Sequence, residues 1–309
     1  MPGPPELSVV VPVYNEEENL PELMRRLDHV LADLTDDWEI LFVDDGSRDA
    51  SVDLIRAQHE RDARVKLIRL SRNFGHQAAL NAGLTHAHGD AVVMMDADLQ
   101  DPPEVLADFV RAWRDGAEVV YGIREHRQGN VAKRAGYRTF YRVYRRLADI
   151  DVPLDSGDFC LMERQVVDAI RDLPESERFL RGLRSWVGFE QVGVPYDRPE
   201  RFVGEPKYSF TGLVRLAVDG LLSFSATPLR LSSLLGAFTA LAGVLYVLFA
   251  LLSRLRTGDI PEGWTSTIAI VLVLGGVQLL MIGIVGEYLA RVYAETKRRP
   301  TFIIRERIT

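Results

Sequence analysis

The residues of this chain best equipped for chemistry are acids that follow apolar runs. Val92, Val93, Met94 and Met95 lead straight into Asp96-Ala97-Asp98, with Gln100 just after and Pro102-Pro103 beyond. That pattern reads as a buried strand ending in two carboxylates, and residues two apart on an extended chain point to one face. Asp96 and Asp98 can then share one divalent cation at the strand's carboxyl edge, with the Gln100 side chain supplying a neutral oxygen. Hard Mg²⁺ or Mn²⁺ takes oxygen ligands and commonly bridges to phosphate. A bare Asp-x-Asp more often marks two solvated acids in a turn, so its company has to decide.

That company is a series of strand-like runs, each ending in polar residues. LSVVVPVY (7–14) precedes Asn15 and three glutamates, and EILFVDDGS (39–47) ends in Asp44-Asp45-Gly46-Ser47. VKLIRLS (65–71) leads to the loop Asn73 to Gln77, and the Asp96 run is the fourth. Helical spacing follows each strand: Leu20, Leu23, Leu27 and Val30 after the first, a helix from about 49 to 61 after the second, another after Gly75, and one from Pro103 to about 115 before EVVYG (118–122). Five strands alternating with helices predict an α/β fold with a mainly parallel, doubly wound sheet. In such sheets ligands bind beyond the carboxyl ends of the strands, where all four polar clusters fall. No dinucleotide-type Gly-x-Gly-x-x-Gly follows the first strand, and no phosphate loop ends in Gly-Lys-Ser/Thr, which argues against dehydrogenase and NTPase chemistry.

Further along the chain, charge and hydropathy change character. Residues 124 to 146 carry eight Lys or Arg against one acid, Glu125, with Tyr137, Phe140, Tyr141 and Tyr144 interleaved. Such a face suits lipid headgroups and phosphate; single-stranded nucleic acid is the weaker reading for a chain of net charge −7. DVPLDSGDFCL (151–161) brings Asp155 and Asp158 around Ser156-Gly157, where a sharp turn is expected. RFVGEPKYSF (201–210) is a polar loop, and Thr211 to Ser225 has the pattern of an amphipathic helix lying at an interface. Leu231 to Ser253 and Gly263 to Gly286 are uncharged over 23 and 24 residues, each long enough to span a bilayer. The short link between them makes a helical hairpin. Arg230, Arg291, Lys297, Arg298 and Arg299 flank it on one side, so the positive-inside rule puts the catalytic domain and C-terminus in the cytoplasm. The single cysteine, Cys160, excludes an internal disulfide, and no basic segment precedes the first apolar run, so no signal peptide is expected. None of the histidines pairs with cysteine in a zinc pattern.

Taken together, VVVPVYNEEENL, FVDDGSRD, LSRNFGHQAALNAG, DADLQDPPE, DSGDFCLM and RFVGEPKYS resemble family 2 glycosyltransferases with a GT-A (Rossmann-like) catalytic domain. Within that family the chain is similar to the polyisoprenyl-phosphate glycosyltransferases, which include dolichol-phosphate mannose synthase and the GtrB-like enzymes. The resemblance covers residues 7 to about 290. It implies inverting transfer from a nucleotide-diphosphate sugar (UDP- or GDP-hexose) to a polyprenyl phosphate such as undecaprenyl phosphate, at the cytoplasmic face of the inner membrane. It further implies Mg²⁺ or Mn²⁺ as cofactor and no nucleic acid as partner; a homo-oligomer stays open. By position, Pro12, Tyr14, Glu16, Asp44, Asp45, Asn73, Gln77 and Asp96 match donor-binding residues, and Asp96, Asp98 and Gln100 match the metal motif. Asp158 matches the acid near the reacting centre, with Asp155 the second choice; Arg124, Arg127, Lys133, Arg134, Arg201 and Lys207 match basic positions for phosphate. The implied division is a catalytic domain over 1–210, an interfacial helix over 211–230, two transmembrane helices over 231–290 and a basic cytoplasmic tail over 291–309. The rivals are a processive polysaccharide synthase, for which no Gln-x-x-Arg-Trp motif is present, and a membrane-anchored nucleotide-binding scaffold without activity.

Overall fold

The structure is a computed structural model, and it describes residues 5–124, 156–175, 178–197, 227–257 and 263–309. The chain divides into two compact units, one holding a large sheet together with Arg299–Thr309, the other holding two long helices.

In the first unit, the β-branched runs make strands because both their faces are covered. Every residue of β1 (Leu7–Val13) and β2 (Trp38–Asp44) is buried. β3 (Val65–Leu70) and β4 (Ala91–Met94) complete a parallel set in the spatial order β4-β1-β2-β3. The crossovers are α1 (Leu20–Leu34), α2 (Ser51–Arg61) and α3 (His76–His86). Leu20, Leu23, Leu27 and Val30 are all buried, as their spacing predicts. A 3₁₀ turn at Pro103–Val105 opens α4 (Leu106–Arg114), which leads to β5 (Val119–Arg124). β6 (Ser156–Glu163) then inserts antiparallel between β4 and β5, followed by α5 (Arg164–Arg171), α6 (Leu180–Trp186) and β7 (Gln191–Tyr196), which pairs parallel with β5. An antiparallel β8 (Ile304–Ile308) closes the other edge against β3. Among the described residues the order is β7-β5-β6-β4-β1-β2-β3-β8, a mostly parallel mixed sheet.

Three expectations from the sequence need correction. The fourth strand stops at Met94, two residues before Asp96, so Asp96 and Asp98 stand in a turn and strand alternation does not set their directions. Gly157 lies within β6, beside Ser156, which pairs with Ile123 of β5; the register of the two strands shifts between there and Tyr121–Cys160. The segment 291–309 is not a free tail: α-helix runs on to Thr296, and residues 304–308 are a sheet strand tied down by Arg56 to Glu306 at 2.6 Å. The expected basic helix within 124–148, the loop 201–210 and the interfacial helix 211–225 lie outside the described residues.

The second unit consists of α7 (Thr227–Thr257) and α8 (Trp264–Thr296), which contain the two uncharged stretches. Val273–Thr296 is long and apolar enough to cross a membrane. Apolar side chains point outward along both helices, among them Phe238 at 69%, Phe249 at 63% and Leu279 at 72% exposure. Water does not stabilise such a surface, whereas lipid does.

Candidate active site

The polar clusters predicted at the carboxyl edge meet there, and side-chain hydrogen bonds lock them into one loop assembly. The Asn15 amide donates to Ser47 Oγ at 2.9 Å, and the Arg48 amide donates back to Asn15 Oδ1 at 2.9 Å. The Glu16 amide donates to Ser51 Oγ at 3.0 Å, and Glu16 Oε2 accepts from the Asn19 side chain at 2.6 Å. Pro12 sits in β1 opposite Val43, and Tyr14, at 36% exposure, stands just past the strand end. Asp44 Oδ1 accepts from the Ser47 amide at 3.0 Å, closing the turn after β2. Its Oδ2 is buried with no hydrogen bond; the nearest cation, Arg69 Nε, is 3.5 Å away. Asp45 uses both carboxylate oxygens to hold the next loop, accepting from the amides of Phe74 at 2.7 Å and Gly75 at 2.9 Å. Burial pushes Asp45 above its ordinary range, these two bonds oppose the rise and Asp44 adds to it. Gly46 has φ +79°, and a Cβ there would stand 2.9 Å from the backbone of Arg72 and Asn73, so glycine lets the two loops touch.

The Asp96 turn is strained. Leu99 has φ +59°, a conformation bulky L residues seldom adopt, and its side chain is 2% exposed in the core. Burying that leucine offsets the strain and fixes the turn carrying the acids. Asp98 is buried and its Oδ1 accepts from the Gln100 amide at 3.1 Å. Asp96, with 31% of its side chain open, lies 3.5 Å from His76 Nε2. Burial raises the Asp96 carboxyl; His76 opposes this, and Asp101, Asp158 and Asp98 push further, to about 7.

Asp158, on β6, is held from several sides. Arg181 of α6 grips it with both fork nitrogens, Nε to Oδ1 at 3.1 Å and Nη2 to Oδ2 at 3.0 Å. Gln77 Nε2 donates to Oδ2 at 3.4 Å, and His76 Nε2 lies 3.5 Å from the same oxygen. Gln77 Oε1 in turn accepts from the Leu180 amide at 3.1 Å, so α3 anchors the start of α6. Burial raises the Asp158 carboxyl, but the Arg181 charge and the hydrogen bonds from His76 and Arg181 outweigh it and hold the group well below the usual carboxylate range. Burial lowers His76, and Asp158 and Asp96 overcome that, leaving the imidazole above its ordinary value.

At the end of β5, Arg124 Nε donates to Tyr196 Oη at 3.3 Å, and the Tyr196 hydroxyl donates to the buried Asp101 at 2.6 Å. The Arg124 guanidinium lies over Gly157, where a Cβ would come within 2.8 Å of Nη2. Gly157 therefore supplies room for an arginine, not a turn. Of the remaining sequence candidates, Asn73 stands in the loop that Asp45 holds, while Asp155, Arg127, Lys133, Arg134, Arg201 and Lys207 lie outside the described residues.

Asp96, Asp98, Asp101 and Asp158 crowd one edge against His76 and Arg181. Sequence reasoning missed His76 and Arg181. His76 lay in plain view within the NFGHQ loop at the sheet edge, two residues past Phe74. Arg181 carries no local signal, because its partner is 23 residues away in sequence. Among the described residues no three His, Cys, Asp or Glu side chains form a metal cage by themselves. The donor set instead fits a cation that takes one or two carboxylates here and completes its shell with substrate phosphate and water.

A mainly parallel α/β sheet with acids converging at its carboxyl edge is the architecture of nucleotide-sugar-type GT-A domains, followed here by a helical hairpin. The model of glycosyl transferase family 2 matches residues 8–171, and that of the GtrB C-terminal hairpin matches residues 227–292. The glycosyltransferase YkcC of Bacillus subtilis is 44% identical over 302 residues, 97% of this chain and 94% of that one. The bactoprenol glucosyl transferase of Shigella phage SfV is 40% identical over 301 residues, 97% of this chain and 98% of that one. Among solved structures, glucosyl-3-phosphoglycerate synthase from Mycobacterium tuberculosis, in complex with Mn²⁺, UDP and phosphoglyceric acid, shares the fold at a TM-score of 0.50 and 20% identity, over 71% of this chain and 78% of that chain. The chain belongs to glycosyl transferase family 2, with the GtrB-type hairpin at its C-terminal side.

Proposed function

We propose that this glycosyltransferase moves a hexose from a nucleotide-diphosphate sugar, UDP- or GDP-linked, to a polyprenyl phosphate at the cytoplasmic face of the membrane, with inversion at the anomeric carbon. The observation that carries the reading is the joining of a family 2 acidic site to a GtrB-type hairpin in a chain 40% identical, nearly end to end, to a bactoprenol glucosyl transferase.

In this reading the loop assembly of Tyr14, Glu16 and Asp44 receives the nucleoside. Asp45 and Asn73 shape the loop beside it. Asp96 and Asp98, with the Gln100 side-chain oxygen, would hold Mg²⁺ or Mn²⁺. When bound, the metal supplies Lewis-acid neutralisation of the departing diphosphate. The sugar C1 to donor-phosphate oxygen bond breaks as a bond from an acceptor phosphate oxygen to C1 forms on the opposite face. The sugar passes through an oxocarbenium-like state, by analogy with other glycosyl transfer. The polyprenyl phosphate enters as an anion. Asp158, bonded through both oxygens, is suited to stabilise positive charge on the sugar or to orient the acceptor. Arg124, held by Tyr196 at the cleft edge, and the basic residues Arg127, Lys133, Arg134, Arg201 and Lys207 are the proposed contacts for phosphate. Asp155 is the alternative to Asp158.

Parity supports two crossings. β1 and β8 are strands of one sheet and α8 contains a segment able to cross a membrane, so in this reading α7 crosses as well and returns the chain to the side of the sheet. The catalytic unit and residues 304–308 then share one compartment.

The direct test is a donor screen. The purified chain in detergent is melted with UDP-glucose, UDP-N-acetylglucosamine, GDP-mannose or free UDP, each with Mn²⁺, Mg²⁺ or chelator. One nucleotide sugar should raise the melting temperature only with metal, and Asp98→Asn should remove that rise and abolish transfer while remaining folded. Full transfer in excess chelator would sink the metal assignment.

A further inference from the structure

We propose that Arg181 is a positioning residue that fixes Asp158 in one rotamer, so that Asp158 acts on the reaction as a stationary charge. The proposal rests on the reading above and concerns how its central acid works.

The geometry is specific. The guanidinium fork meets the carboxylate in two parallel bonds of 3.1 and 3.0 Å, the arrangement that restrains direction most tightly. Both partners are mostly buried, Asp158 at 12% and Arg181 at 27% exposure. Oδ2 is further engaged by the Gln77 amide, with His76 Nε2 beside it. A general base needs an oxygen lone pair aimed at the proton it removes. Here Oδ1 accepts from Arg181 Nε, and Oδ2 faces Arg181 Nη2, Gln77 Nε2 and His76 Nε2. Turning either oxygen toward a substrate proton would pull the carboxylate out of the plane it shares with the Arg181 fork. A phosphate acceptor is already largely anionic at neutral pH and needs less deprotonation than a sugar hydroxyl, so the reaction asks little of a base and gains from a fixed direction. The fork is itself braced. The Leu180 amide donates to Gln77, and Arg178, just before α6, donates to Asn81 Oδ1 at 2.7 Å and to the Leu173 carbonyl at 2.7 Å. Asn81 Nδ2 donates to Thr301 Oγ1 at 3.1 Å, so α3 and the segment preceding β8 both restrain the base of the helix that carries Arg181.

A group that acts through Asp158 has no effect once Asp158 is gone, and a double-mutant cycle reads this out. Wild type, Arg181→Gln, Asp158→Asn and the double variant are assayed as full chains in detergent, with undecaprenyl phosphate and UDP-glucose or GDP-mannose, whichever wild type turns over. Arg181→Gln alone should lower kcat by about tenfold to a hundredfold, the loss expected for a charge-assisted pair, with donor KM within about twofold. Added to Asp158→Asn, it should cost no more than about twofold. Arg181→Lys keeps the charge without the fork and should recover only part of the rate at unchanged melting temperature; it replaces Arg181→Gln in the cycle should the latter not fold. Multiplicative losses in the double variant, or a raised donor KM in either single arginine variant, would overturn the proposal and assign Arg181 to the substrate. Absence of any lipid-linked sugar from wild type would instead count against the proposed reaction, which keeps the two failures apart.

Discussion

Single residues in this site do several jobs at once, and the clearest case is a glycine. Gly157 leaves space for the Arg124 guanidinium, whose Nη2 would lie 2.8 Å from a Cβ at that position. The clash would fall on the tip of a flexible side chain, so the backbone need not move. Gly157→Ala should therefore leave the melting temperature nearly unchanged, push Arg124 off its seat and raise the KM for undecaprenyl phosphate by roughly tenfold, the worth of one charge-assisted phosphate contact. A raised donor KM with unaltered lipid dependence would move Arg124 to the donor side. This residue also marks where sequence reading reached its limit. A glycine between acids reads as a turn, and only the pairing of β5 with β6 reveals that it gives space to an arginine. Asp96 and Asp98 stood out in the sequence as acids that follow an apolar run, and Asp158 was singled out through the family resemblance; His76 and Arg181 were not, because a residue's partner across the fold leaves no trace in its own neighbourhood.

At the level of elements, β1 to β4 and their helices were legible because parallel strands buried on both faces are continuous apolar runs. β6 and β8 were not. β6 opens with Ser-Gly-Asp, and β8 reads Ile-Arg-Glu-Arg-Ile, alternately half-buried and exposed, as an edge strand with one open face does. The interior of the sheet also holds a polar knot. Glu39, 2% exposed, accepts from Ser8 Oγ at 2.6 Å, Lys66 Nζ at 2.7 Å and the His88 amide at 2.8 Å. Burial pushes the Glu39 carboxyl up, but these donors, Lys66 foremost, outweigh it and hold the group below its ordinary 4.5. A lowered folded value gives stability that is complete above the unfolded pKa and is lost as pH falls through the folded one. The full chain in detergent should thus lose denaturant resistance below about pH 4.5, and Glu39→Gln should be less stable by about 1–3 kcal/mol at pH 7 with a shallower acid limb. An equal slope in both proteins would show that other carboxylates carry the acid sensitivity.

At the scale of the whole molecule, β1 and β8 come from either side of the two long helices in the sequence and lie in one sheet, so the proposed two-crossing topology is tested at the link between α7 and α8. Because Cys160, the only native cysteine, is buried, a thiol introduced by Gly258→Cys can be labelled selectively. In intact cells it should react with an impermeant maleimide added outside, and labelling only after lysis would reverse the orientation. The proposed reaction is tested most directly by where the sugar goes. The purified chain is incubated with Mn²⁺, undecaprenyl phosphate and sugar-labelled UDP-glucose, and in parallel with labelled GDP-mannose, and the mixture is extracted into organic solvent. Label is expected in the organic phase as a lipid carrying one sugar, dependent on the lipid and much reduced in Asp158→Asn. Label that stays aqueous with every donor, or that accumulates as a polymer independent of lipid phosphate, would contradict it.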